Sequence, residues 1–150
     1  MGCVLHFFGD AANVAELERL CPTEPCNVFY KGKPRSTRPN SRLSETSGIS
    51  IVASDADFDK LELQQTESLE FLTLHHARLL DMRAVEGVET ASIDYGISMR
   101  NVIVQGDAFE PELLAKIASL GMRMILSQYS PQGRAKKVKQ YRRSLRNHAQ

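Results

Sequence analysis

Two stretches of the chain echo each other: Phe8-Gly9-Asp10-Ala11 near the start and Gln105-Gly106-Asp107-Ala108 near the end. In each, a short apolar run leads into Gly-Asp-Ala, and a helix-like segment follows. Aligned without a gap, Val14, Leu17 and Leu20 fall opposite Pro111, Leu114 and Ile117. A strand that halts at glycine just before a helix is the junction of a β-α unit. The repetition therefore predicts two β-α halves within one α+β domain. Fold alone does not fix function.

The pattern around each junction agrees. Cys3–Phe8 is apolar on both faces except at His6, as a strand buried within a sheet is. Asn13-Val14-Ala15-Glu16 has the form of a capping box, and Pro22 ends that helix near Cys21. Residues 22–47 carry four prolines and read mostly as a functional loop, with Cys26–Tyr30 as a short strand. Gly48–Ser54 alternates as a strand. A long helix is predicted from Lys60 to Arg83, with Leu61, Gln65, Leu69, Leu72, His76, Leu79 and Leu80 as its inward stripe. After Gly87, Val88–Ile97 alternates, and Asn101–Gln105 is expected to pair with it as a hairpin. Pro111 opens the last core helix, Gly121 closes it, and Met122–Tyr129 is the last strand.

This order predicts a mixed, largely antiparallel sheet with helices on one face, ferredoxin-like or an elaborated relative. Residues 1–130 form the single domain, and residues 131–150 form a basic C-terminal tail. Length suffices for a core without disulfides or metals. Cys3, Cys21 and Cys26 have no framework spacing and read as reduced thiols. No stretch approaches a membrane span or a signal peptide, so a cytoplasmic protein is expected.

Charge divides the chain unevenly. All 18 acidic residues lie at or before Glu112, while the last seventeen residues hold seven of the 19 basic ones and no acid. That leaves 12 basic against 18 acidic residues in 1–133, a net charge of −6. An acidic body suits a basic partner, and Asp55, Asp57 and Asp59 are its densest cluster. The basic loop and tail offer a second reading, nucleic acid, through Lys31, Lys33, Arg35, Arg38, Arg42, Lys136, Lys137, Arg142 and Arg143.

Catalytic signatures are missing. The Asp55-x-Asp57-x-Asp59 run lacks the glycine and glutamate of a calcium loop, having Lys60 and Thr66 in their places. His75 and His76 point about 100° apart on a helix and cannot share a metal as an i, i+4 pair does. No nucleophile elbow or phosphate loop occurs, and no metal or other cofactor is expected. The polar face of the sheet is the remaining candidate surface. Thr90, Ser92 and Asp94 should share one face of their strand, and Arg123, Ser127 and Tyr129 one face of theirs.

Several segments together resemble small bacterial proteins classed as domains of unknown function. They are Ser47-Gly48-Ile49-Ser50-Ile51, Asp94-Tyr95-Gly96-Ile97, Gln105, Phe109-Glu110-Pro111-Glu112-Leu113-Leu114 and Leu126-Ser127-Gln128-Tyr129. The resemblance covers residues 3–130 and implies an α+β fold in a bacterial protein, with no activity attached.

Three functions follow as expectations. The leading one is a non-catalytic protein-binding module, immunity- or antitoxin-like, using Asp55, Asp57, Asp59, Ser92, Asp94, Arg123 and Tyr129. The second is nucleic-acid association through the tail and the 31–42 loop. The third is a small-molecule enzyme with a site around His6, Asp94 and Tyr129. Self-association through the open sheet face is compatible with each.

Overall fold

The most apolar strand takes the most buried place. β1 (Cys3–Gly9) is central in a five-stranded sheet of order β2-β3-β1-β4-β5. The protein is described by a computed structural model covering residues 1–131. The basic tail, with Lys136, Lys137, Arg142 and Arg143, lies outside the described residues. β2 (Asn27–Phe29) is a short edge strand on β3 (Ser47–Ser54), and β1 lies antiparallel between β3 and β4 (Thr90–Ser98). β5 (Arg123–Tyr129) lies parallel to β4. The sheet is thus mixed and largely antiparallel, in an α+β fold.

Among the described residues, four helices cover one face: α1 (Val14–Leu20), α2 (Leu61–Leu74), α3 (His76–Arg83) and α4 (Pro111–Ser119). Strand alternation sends Leu5, Phe7, Ile49, Ile51, Ile93 and Tyr95 toward them, where Leu17, Leu72, Leu79, Met82, Leu113 and Ile117 complete one buried cluster. Each such side chain contributes about 1.5–3 kcal/mol by leaving water. Asn13 caps α1, its Oδ1 accepting from Glu16 N at 3.2 Å, and Pro111 occupies the first turn of α4.

Three expectations change. The hairpin after Val88–Ile97 does not form. Gln105 Oε1 accepts from Arg100 N (2.8 Å) and its Nε2 donates to Ser98 O (3.2 Å), closing residues 99–107 into a side-chain-bonded loop. Val102, Ile103 and Val104 are exposed on it, and β5 takes the place beside β4. The long helix is broken at His75 into α2 and α3. Gln64, Ser68 and Met82 are buried with Gln65, Leu72 and Leu79, while Leu80 turns outward. Finally, the strand order departs from a ferredoxin-like layout. One split β-α-β is present, β3 to β4 through α2 and α3 with β1 inserted between. The other half, β4-α4-β5, joins adjacent parallel strands with nothing between them.

Candidate functional site

The face of the sheet away from the helices carries the even-numbered residues of β1 and β3. Antiparallel register sets His6 beside Ser50 on one side and Ser92 on the other, and Val4 beside Asp94. Parallel register sets Ser92 beside Arg123, Asp94 beside Ile125 and Ser98 beside Tyr129. The two polar sets read from the sequence therefore meet on one surface. Ser127 Oγ donates to Asp94 Oδ2 at 2.9 Å, joining them across the β4–β5 pair.

A cavity of about 310 Å³ opens on this face. His6, Ser50, Ser92 and Asp94 line it from the sheet, with Phe8, Phe29 and Ile125 as apolar walls. Arg35, Ser44 and Thr46 reach it from the loop after β2. That loop is folded back on itself, with Arg35 N bonded to Arg42 O (3.0 Å) and Ser44 N to Lys33 O (2.8 Å). Of the five described basic residues expected to contact nucleic acid, Lys31, Lys33, Arg35, Arg38 and Arg42, Lys31 pairs with Asp10, Arg42 pairs with Glu45, and Arg35 alone lines the cavity.

His6 Nδ1 shares a hydrogen bond with Ser50 Oγ at 2.8 Å. Burial holds its imidazole below the ordinary histidine range, and the opposing pull of the Asp94 carboxylate is smaller. The folded chain thus takes up a proton at His6 less readily than the unfolded chain does. Stability from this group is full above pH 6.5, the ordinary value, and is lost as pH falls below it. Urea midpoints measured from pH 7.5 down to 5 should fall, and fall less in His6→Gln, which has no proton to gain. Equal slopes in the two proteins would remove His6 as the source.

Tyr129 does not join His6 and Asp94. Its ring stacks on Phe58 at 4.7 Å over Gly96, at the far end of β5. The expected three-residue catalytic group is therefore not assembled. Elsewhere, burial pushes the Cys3 thiol and the Tyr95 hydroxyl well above their ordinary ranges. Tyr95 OH bonds Ser68 Oγ at 2.7 Å in the core, so this pair is structural. Among the described residues, no group of three or more His, Cys, Asp or Glu side chains could hold a metal ion, and no helix is long and apolar enough to cross a membrane.

A second concavity lies on the helix side, where α2, α4 and the 100–110 loop enclose a broad groove of about 1110 Å³. Among the described residues, Asp59, Glu62, Asp107, Glu110 and Glu112 line it against only Lys60 and Arg100, a net charge of −3. Arg100 is already committed to Asp107 at 3.0 Å. Leu63, Leu69 and Leu113 supply apolar surface between these charges. Of the aspartate trio, Asp59 alone lines the groove; Asp55 sits 3.5 Å from the N-terminal ammonium.

No family model, curated protein or solved structure matches this chain. The likeness to bacterial domains of unknown function thus rests on the sequence segments quoted above. Both concavities combine residues distant in sequence. Asp59, Arg35, His6, Ser92 and Asp94 were legible as candidates, whereas Glu62, Glu112, Phe8 and Phe29 were not singled out as site residues.

Proposed function

We propose that this protein is a non-catalytic binding module that takes a basic segment of a protein partner into the groove between α2 and α4. The observation that carries the reading is the charge of that groove, −3 over an apolar floor. A lysine- or arginine-rich amphipathic segment complements both properties at once, its charges meeting Glu62 and Glu112 and its apolar side meeting Leu63 and Leu69. Opposite fields speed such an encounter and select against acidic competitors. An immunity- or antitoxin-like role, masking a basic partner, is the specific form this would take.

The test compares the full chain with a Glu62→Lys/Glu112→Lys variant as bait in lysate with and without nuclease treatment. A basic protein retained by the parent, lost on the variant and released by 0.5 M salt is the expected result. Identical capture by both baits, empty lanes, or loss of the material to nuclease alone would overturn it, the last in favour of nucleic acid. With the purified partner, the association rate for the variant should fall about tenfold at low salt.

A further inference from the structure

We propose that the cavity on the open sheet face binds a nucleobase-type ring, a planar nitrogen heterocycle carrying N–H donors, in a free nucleoside or mononucleotide. This site lies on the opposite side of the sheet from the α2–α4 groove, and the inference does not depend on that groove's role.

Register builds the slot. Phe8 on β1 and Phe29 on β2 both pair with Gly48 on β3, so the three form one row across the sheet. Two strand spacings separate the aromatic residues, about 9.5 Å at the backbone. Glycine keeps the row between them free of a side chain, and none would fit, since a Cβ there would lie 2.1 Å from Phe7 O. Phe8 and Phe29 both line the cavity, and neither ring pairs with another ring among the described residues. An aromatic pair held this far apart by a glycine suits a flat ring inserted between them.

The floor supplies the polar edge. Ser92 is 1% exposed and its Oγ has no hydrogen-bond partner; Asp94 Oδ1 is buried and likewise unpartnered. Both residues line this one cavity. Buried polar atoms are nearly always satisfied, so two in one place call for a group that satisfies them. A carboxylate oxygen only accepts, whereas a serine hydroxyl both donates and accepts. Together they match the donor–acceptor edge of a base, with an amino or ring N–H facing Asp94. His6 is tied to Ser50 through Nδ1, and burial makes its imidazole harder to protonate, so it adds a further uncharged polar group to the floor. Exposed Arg35 is the one cation lining the cavity among the described residues and is placed for a 5′-phosphate. The volume of about 310 Å³ limits the occupant to roughly one nucleoside.

The experiment titrates the full ¹⁵N-labelled chain with adenosine, guanosine, cytidine and uridine at concentrations up to about 1 mM. At least one nucleoside should shift the amides of Gly48, Ser92 and Asp94 and give a dissociation constant below that limit. Asp94→Asn, which keeps the shape and removes the carboxylate, should weaken binding about tenfold. Phe29→Ala, on a short edge strand, should weaken it at least about fivefold through lost stacking. The corresponding 5′-monophosphate should bind more tightly than the nucleoside, and Arg35→Ala should erase that difference. No shift at these amides with any of the four, or binding indifferent to both Asp94→Asn and Phe29→Ala, would overturn the proposal. Should Asp94→Asn fail to fold, the Phe29→Ala titration decides.

Discussion

Alanine at Gly9 should cost the fold about 3 kcal/mol or more, while alanine at Gly106 should change stability by less than about 0.5 kcal/mol. Both glycines open a Gly-Asp-Ala segment, so the sequence presents them as equivalent. They are not. A Cβ on Gly9 would lie 2.0 Å from Gly87 O and 3.0 Å from Glu89 N, where β1 ends against the turn into β4. Backbone atoms cannot swing aside as a side chain can, so β1 and β4 would have to separate. Gly87 is locked into the same contact: its φ is 81°, and a Cβ there would meet Ala11 O at 2.0 Å. Around Gly106, by contrast, no heavy atom lies within 4 Å of the added carbon. Urea unfolding of the two variants checks this directly, with a midpoint shift on the order of 1–2 M for Gly9→Ala and none for Gly106→Ala. Equal losses at the two sites would contradict the packing described for β1 and β4.

The contrast between the two glycines shows where sequence patterning reached and where it stopped. Local chemistry was legible: the Asn13 cap, Pro111 at the start of α4, Gly121 at its end, and the alternation of β3 and β4 all form as their residues require. The α+β class followed from these. Val102-Ile103-Val104 read as strand because β-branched residues favour a pleated backbone. Arg100, Gln105 and Asp107 instead tie that segment into a loop, and no single-residue propensity encodes such a network. The polar face was legible in part. Alternation placed Ser92 with Asp94 and Arg123 with Ser127, but only register could set His6 and Ser50 beside them. The groove was less legible still, because its charges come from α2, α4 and the loop between β4 and α4, whose juxtaposition is tertiary.

Gln65 carries the second large effect. It shares with His76 a helical stripe otherwise made of leucines, where a buried polar residue signals either a defect or a partner. The structure supplies the partner. Gln65 is 7% exposed, its Nε2 donates to Ala108 O at 2.9 Å, and its Oε1 accepts from Glu110 N at 3.0 Å. The residue at the N-cap of α4, Glu110, gives no side-chain cap of its own, and the glutamine on α2 instead holds that residue's backbone N–H and the carbonyl of Ala108 just before it. Gln65→Ala should therefore cost about 2–3 kcal/mol, from two lost hydrogen bonds and backbone groups left without them. Gln65→Leu restores volume but neither bond, and should lose nearly as much. Amide exchange at residues 110–113 should quicken about thirtyfold in both variants, with the strands little affected. Full stability in Gln65→Leu would mean that packing, not the amide clamp, fixes α4. The same clamp holds Glu110 and Glu112 opposite Glu62 across the groove. Its removal should therefore weaken capture of a basic partner although no charge has changed.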